Sequence, residues 1–281
     1  MSKTIFITGA SKGFGKIWVE SFLKRGHRVA ATSRNINALG DLAKKYSENF
    51  LPLQLDITNR SEVIEMINKA NSHFGSLDVV INNAGYGLFG AIEELAEQDT
   101  KDVINANILG TLWVTQAALP IFRKQRSGHI IQLSSVLGLW SLPTLGIYSA
   151  TKFAVEGLSD ALAQEVAGLG IHVTLVEPNG YNTEFGGSSA VGSQSIADYD
   201  QVKASMGSGE GLQPDDYGDP EATADAINLL IDSKNPPLRF FLGKVGLPKT
   251  TRIYAERLAE WNSWSEVAKA AQGKPASTIN L

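Results

Sequence analysis

The sequence predicts an α/β protein built on a parallel sheet with helices on both faces. Three observations carry that reading. Short β-branched runs alternate with amphipathic segments of helical length, the runs are close to continuously apolar, and the rhythm persists to about residue 242 with no internal repeat. A strand buried on both faces shows no polar side, so it reads as an unbroken apolar run rather than as alternation. The strands are expected at Thr4–Thr8, Arg28–Thr32, Phe50–Leu55, Leu77–Ile81, His129–Leu133, Ile171–Val176 and Leu238–Leu242. Between them the helical pattern covers Phe14–Arg25, Ile36–Tyr46, Arg60–Phe74, Asp99–Phe122, Tyr148–Leu169 and Glu221–Asp232. Crossovers in such a sheet are right-handed.

The chain has 281 residues, against roughly 150 per domain as a prior. The single rhythm favours one domain over residues 1–243. Residues 186–219 break that rhythm with three Gly/Ser clusters and few apolar residues; a loop this long in a compact domain is either a functional lid or disordered, and a flexible substrate lid is the expectation. Residues 244–281 form an extension of the same domain, with a helical pattern over Thr251–Trp264.

Hydrophobic residues make up 43% and charged residues 19%, which excludes a mostly disordered chain. There is no cysteine, so a disulfide framework, a thiol nucleophile and Cys-ligated metal are excluded, and no metal site is expected. The net charge of −4 comes without a long run of one sign, so neither nucleic acid nor an anionic membrane is expected as a partner. The first residues enter a strand-like run that Gly9 ends before a signal-peptide core can form, and a cytoplasmic location is expected. Two stretches without formal charge, Val103 to Phe122 and Ser127 to Thr151, are too rich in Asn, Thr, Ser, Gly and Tyr for membrane spans.

Thr8-Gly9-Ala10-Ser11-Lys12-Gly13-Phe14-Gly15 lies between the first strand and the first helix. Glycine there lets the backbone turn tightly and approach a pyrophosphate, whose charge is favoured at a helix N-terminus. The alternative is a purely structural turn. At the end of the second strand, where an acid commonly meets the adenosine ribose, this chain has Ser33-Arg34. Arg34 with Lys12 suits the extra phosphate of NADP, so NADP(H) is favoured and NAD(H) remains open. Tyr148 and Lys152 stand four apart on a predicted helix and therefore share a face. A neighbouring ammonium favours phenolate and is expected to lower the Tyr148 pKa into the range useful for acid–base work. Ser135 lies at the C-terminal end of an apolar strand, where open α/β sheets place ligands.

Taken in order, Thr8-Gly-x-x-x-Gly-x-Gly15, Asn82-Asn-Ala-Gly85, Asn107, Ser135 and Tyr148-x-x-x-Lys152 closely resemble the short-chain dehydrogenase/reductase family. The resemblance is close over about residues 3–185 and looser to about 243. It implies a single doubly wound Rossmann-type domain with a seven-stranded parallel sheet in the order 3-2-1-4-5-6-7, and a nicotinamide cofactor. Tyr148 is then the proton donor and acceptor, Lys152 lowers its pKa and holds the nicotinamide ribose, Ser135 hydrogen-bonds the substrate oxygen, and Asn107 holds a water leading from Lys152 to solvent. Ser135 is preferred to Ser134 because its distance from Tyr148 matches the family, and strand alternation sends the two serines to opposite faces. Cofactor contacts implied by the resemblance are Gly9, Ser11, Lys12, Gly13, Phe14, Gly15, Ser33, Arg34, Asp56, Ile57, Asn83, Ala84, Gly85, Pro178, Asn179, Gly180, Tyr181 and Thr183, together with Asn107, Tyr148 and Lys152. The family usually has Pro-Gly where this chain has Pro178-Asn179. Asn tolerates a left-handed backbone, so Asn179 is able to take the turn that glycine would.

A substrate pocket is expected from Ser135, Leu137, Trp140, Tyr148, Tyr181 and Phe185, with Leu88, Phe89 and Leu142 beside them. Such apolar walls suit a hydrophobic ketone or aldehyde, reduced reversibly to the alcohol. Two alternatives stand beside this one: a 3-oxoacyl-carrier-protein type of reductase, and a non-catalytic protein that senses NADP(H). The helices Asp99–Phe122 and Tyr148–Leu169 carry more apolar residues than one sheet-facing stripe needs, which predicts an oligomer interface; the resemblance to the family implies that these two helices pair in a homodimer or homotetramer.

Overall fold

The computed structural model describes residues 2–186, 191–192, 195–208 and 216–273. Seven strands form one sheet: β1 (Thr4–Ile7), β2 (Arg28–Ser33), β3 (Phe50–Gln54), β4 (Val79–Asn82), β5 (Gly128–Leu133), β6 (Ile171–Pro178) and β7 (Arg239–Leu242). Their order is β3-β2-β1-β4-β5-β6-β7, every neighbouring pair is parallel, and the order agrees with the expected one. β1 pairs with both β2 and β4, so the winding reverses there and the loops leaving β1 and β4 diverge at their C-terminal ends.

Strand alternation decides which helix covers which face. Ile5 and Ile7 of β1 point to the side covered by α1 (Gly13–Lys24) and α8 (Thr223–Asp232), where Trp18, Phe22, Ile227 and Ile231 are fully or almost fully buried. Phe6, between them, points to the opposite side with α3 (Arg60–Phe74), α5 (Thr111–Gln125) and α6 (Gly146–Val166). A short α2 (Gly40–Lys45) follows β2. Asn59 starts α3, its side-chain oxygen accepting from the amides of Ser61 and Glu62, and Gly75 ends it at φ 80°.

The helix expected over Asp99–Phe122 is two helices. α4 (Glu97–Ile104) passes into a π turn, Asn105–Gly110, before α5 begins. The wider turn turns the Asn107 side chain inward, where it bonds both backbone groups of Tyr86. Gly110 closes the turn against Ile57: a Cβ there would lie 2.7 Å from the Ile57 Cδ1.

Within the expected lid, Val191–Gly192 pairs with Leu88–Phe89, and α7 (Asp200–Ser208) follows a 3-10 turn at Ala197–Tyr199. Residues 187–190, 193–194 and 209–215 of that expectation lie outside the described residues. The C-terminal helix starts earlier than its pattern, as α9 (Gly246–Ser263), and α10 (Ser265–Ala271) continues it. No helix among the described residues is long and apolar enough to cross a membrane.

Candidate active site

The turn after β1 is held by its neighbour after β4. The Thr8 hydroxyl accepts from the amides of Asn83 and Ala84 at 3.1 and 3.0 Å, and Asn83 Nδ2 donates to the carbonyls of Thr8 and Gly9 at 2.9 and 3.0 Å. Glycine is required at two points. Gly9 has φ 69° with its α-carbon facing Ala84, and a Cβ on Gly15 would lie 2.4 Å from the Gly9 carbonyl oxygen. Lys12 caps α1 without a side-chain bond and no acid stands in the first turn, so the amide dipoles there are left for an anion. Thr183 lies across from Gly13.

Asn107, Ser135, Tyr148 and Lys152 are all buried. Asn107 Oδ1 accepts from the Tyr86 amide at 3.1 Å, and its Nδ2 donates to the Tyr86 carbonyl and the Thr151 hydroxyl. Thr151 in turn donates to the Tyr148 carbonyl at 2.7 Å, tying the π turn to α6. Lys152 Nζ donates to the Leu133 carbonyl at 2.6 Å and stands 5.7 Å from the centre of the Tyr148 ring. Gly85 lies against Asn107 and Lys152, where a Cβ would come within 3.0 Å of Asn107 Oδ1. Ser135 leaves β5 in an extended conformation, its hydroxyl accepting from Leu137 and lying beside the Tyr148 phenol. Ser134 faces the other way, toward Glu156.

Electrostatics at the pair run opposite to the expectation from sequence. Burial pushes the Tyr148 phenol above its ordinary value, with only the Ser135 hydroxyl pulling it down. Burial lowers Lys152 to about 8, opposed by the Glu156 carboxylate. Removal from water disfavours phenolate and ammonium alike, and the ammonium donates to a backbone carbonyl instead of to the phenol.

The surroundings of Tyr148 are apolar. Val136, Leu137, Leu139, Trp140, Leu145 and Tyr148 pack together, with Phe89, Leu142, Phe185, Phe241 and Ile253 against them. The Phe185 ring stands 5.0 Å from the Tyr148 ring and 6.0 Å from Phe89. Leu88 is buried beside Phe89. Tyr181 is elsewhere: its ring meets Phe14 edge-on at 5.1 Å, and Phe14 stacks on Trp18 at 5.2 Å, so both aromatics belong to the α1 side of the sheet.

The remaining expected cofactor residues line the same C-terminal edge of the sheet. Arg34 is exposed after β2, next to buried Ser33, and lies near enough to Tyr86 to oppose the rise that burial gives its phenol. Ser11 and Lys12 ride the glycine turn, and Lys12 Nζ is 3.3 Å from Glu184. Asp56 Oδ1 accepts from the Thr58 amide and hydroxyl, which fixes the turn carrying Ile57. Pro178 ends β6 and Gly180 follows Asn179.

Asn179 is not left-handed, contrary to the expectation. Its amide pairs with the Leu242 carbonyl, which keeps the chain extended beside β7. Its side chain bonds the Gly180 and Asp216 carbonyls, and Gly243 instead takes positive φ to make room for it.

Sequence reasoning missed the supporting residues. In sequence Thr8 is no more than the first residue of the glycine motif and Thr151 is an ordinary threonine; only the fold shows that their hydroxyls tie separate motifs together. Glu156 follows Tyr148 and Lys152 at the same helical spacing, the one signal that could have found it. It is buried with Glu177 of β6, and Arg239 Nε lies 3.3 and 3.7 Å from the two carboxylates. Burial and the Glu156 charge raise Glu177 to about 8.

The family model for short chain dehydrogenase matches residues 3–192. The 3-ketodihydrosphingosine reductase of Bacteroides thetaiotaomicron is 37% identical over 269 residues, spanning 90% of this chain and 96% of that protein. A short-chain dehydrogenase from Streptomyces avermitilis, solved by crystallography, superposes with a TM-score of 0.88 at 34% identity over 96% of this chain and 98% of its own. ElxO, solved with NADP bound, has a TM-score of 0.71 at 32% identity, covering 86% of this chain and 96% of its own. With the parallel sheet, the glycine turn and the buried Asn-Ser-Tyr-Lys set already in place, these similarities make the chain an oxidoreductase of the short-chain dehydrogenase family.

Proposed function

We propose that this oxidoreductase reduces a hydrophobic ketone or aldehyde with NADPH, reversibly, and that Tyr148 is its proton donor. The observation that carries the reading is a buried phenol beside a serine hydroxyl, its ring 5.7 Å from an ammonium, set in an apolar cluster rich in aromatic rings. NADPH fits the residues present. The turn at Gly9 and Gly15 has no room for side chains, the first turn of α1 carries no acid, and Arg34 stands after β2 in place of a carboxylate. That ElxO was solved with NADP supports the same choice.

When bound, the nicotinamide supplies hydride to the carbonyl carbon. Tyr148 gives its proton to the carbonyl oxygen, and the Ser135 hydroxyl stabilises the charge growing there. Burial keeps Tyr148 protonated at neutral pH, the form a reduction needs at its start. The phenolate left behind is stabilised by Ser135 and by the Lys152 ammonium, and Lys152 returns the proton. Asn107 fixes the π turn against α6, holding Lys152 and Tyr148 in register. The aromatic walls select an apolar substrate, and the similarity to a Bacteroides protein named a 3-ketodihydrosphingosine reductase supports a ketone as that substrate. Residues 186–219 serve as the lid over it.

Oxidation of NADPH against a panel of hydrophobic and polar ketones tests this directly. Wild type is expected to turn over the hydrophobic ones. Tyr148→Phe is expected to lose about 10²–10⁴ in kcat while still binding NADPH. Near-normal reduction by Tyr148→Phe would overturn the mechanism, and a kcat/KM for NADH equal to that for NADPH would overturn the cofactor.

A further inference from the structure

Two carboxyls and one guanidinium meet beneath the site, from three elements. Glu156 lies on α6, one turn after Lys152 and on the same face. Glu177 lies near the end of β6, next to Val176, which is level with Leu133 across the sheet. The Leu133 carbonyl is the group that receives the Lys152 ammonium. Arg239 opens β7, its Nε 3.3 Å from Glu156 and 3.7 Å from Glu177, while Nη1 turns out to Asp160 at 3.3 Å. The Glu156 and Glu177 side chains are 7 and 0% exposed. Gly138 lets the loop that follows Ser135 close over Glu156. A Cβ there would lie 3.0 Å from the Glu156 Cγ and 2.7 Å from the Ser134 Oγ.

One N–H cannot neutralise two buried carboxylates, and their mutual repulsion leaves a proton on one of them. Glu177 takes it. Its side chain is the more deeply buried and the farther from Arg239, and burial with the Glu156 charge raises it to about 8. Burial raises Glu156 as well, but Ser134 and Arg239 oppose that rise, so Glu156 keeps the charge. A buried ammonium in turn needs a counter-charge. Lys152 donates to a neutral carbonyl, and Tyr148, Asn107 and Gly85 beside it carry no charge at neutral pH. Glu156 is the acid whose charge opposes the loss of its proton.

We propose that Glu156 is the buried counter-charge of Lys152 and keeps its ammonium ready to return the proton to Tyr148. It is a positioning residue, acting through Lys152, and the inference rests on Lys152 being the proton source for Tyr148. The proton moves from Nζ to the phenolate oxygen, and Glu156 stays ionised throughout. Nitrogen-15 NMR of the full chain, labelled at lysine and free of cofactor, follows the Lys152 amine directly, its signal assigned by its loss in Lys152→Met. The titration midpoint is expected to fall by about one pH unit in Glu156→Gln. Glu156→Asp, which keeps the charge, is expected to recover most of that shift. Asp160→Asn, which changes the exposed partner of Arg239, is expected to leave the midpoint in place. In NADPH-dependent reduction, Glu156→Gln is then expected to lose about ten-fold in kcat/KM at pH 9 and less than about two-fold at pH 6. An unmoved midpoint in Glu156→Gln would overturn the proposal, and so would an equal fall in Glu156→Asp or in Asp160→Asn. A midpoint that falls with no change in the rate profile would sustain the counter-charge and overturn Lys152 as the proton source.

Discussion

Tyr148 and Lys152 share one face of α6, and burial drives both toward their neutral forms. Only the lysine reaches the working pH range. Its ammonium is what stabilises phenolate after proton transfer, and it is lost as pH rises through about 8. The kcat/KM for carbonyl reduction is therefore expected to be level below about pH 7 and to fall with a one-proton slope above about 8. A profile flat to pH 10 would separate Lys152 from the proton transfer. Gly15 makes a second prediction at this scale. Its Cβ would strike a backbone oxygen, not a flexible side chain, so Gly15→Ala must shift the turn. The expected result is a loss of about 1–3 kcal/mol of stability and at least ten-fold weaker NADPH binding, read by thermal melting and by fluorescence titration.

At the scale of elements, short polar clamps set how loops stand over the sheet. Glu94 is nearly fully buried and accepts from the amides of Ala91 and Ile196 at 2.8 and 2.6 Å and from Lys203 of α7. Those amides and the lysine hold its carboxyl down at about 2. Tyr199 adds a bond to Glu93 at 2.6 Å. This clamp is the main polar link between the described part of the 186–219 segment and the loop before α4. Glu94→Gln removes the charge, so it is expected to speed limited proteolysis within residues 195–208 several-fold and to raise KM for a hydrophobic ketone more than it lowers kcat. Unchanged cleavage would remove Glu94 as the fastening. The π turn belongs to the same scale. The sequence pattern runs through Asn105–Gly110 without interruption, because a single wider turn leaves apolar spacing nearly intact.

For the whole molecule, the buried carboxyls beneath the site make folding stability depend on pH. Glu177 keeps its proton to about pH 8 when folded and releases it near the ordinary carboxylate range when unfolded. The folded chain thus holds more protons across that window, so this group's effect is to lower stability as pH rises from about 5 to 8, by at most about 1.4 kcal/mol per unit. Lys152, with its folded value lowered, acts oppositely and only above about pH 8. Denaturant melts of Glu177→Gln are expected to show a flatter dependence between pH 5 and 8 than wild type. An unchanged slope would mean that Arg239 keeps Glu177 ionised.

Much of this molecule was legible in the residues. The seven strands, the glycine turn and the Tyr-x-x-x-Lys spacing are local patterns, fixed by periods of two and 3.6 and by the special freedom of glycine, and these need no partner to be read. Strand order followed from family resemblance, not from periodicity. What only tertiary structure decided were the consequences of burial: the upward shift of Tyr148, the bonding of the buried Asn179 side chain to the Gly180 and Asp216 carbonyls, the placing of Tyr181 with Phe14, and the meeting of Glu156, Glu177 and Arg239 from three elements. Proton affinities and side-chain directions depend on which distant residues exclude water from a group, and that is a property of the packed chain rather than of any stretch of it.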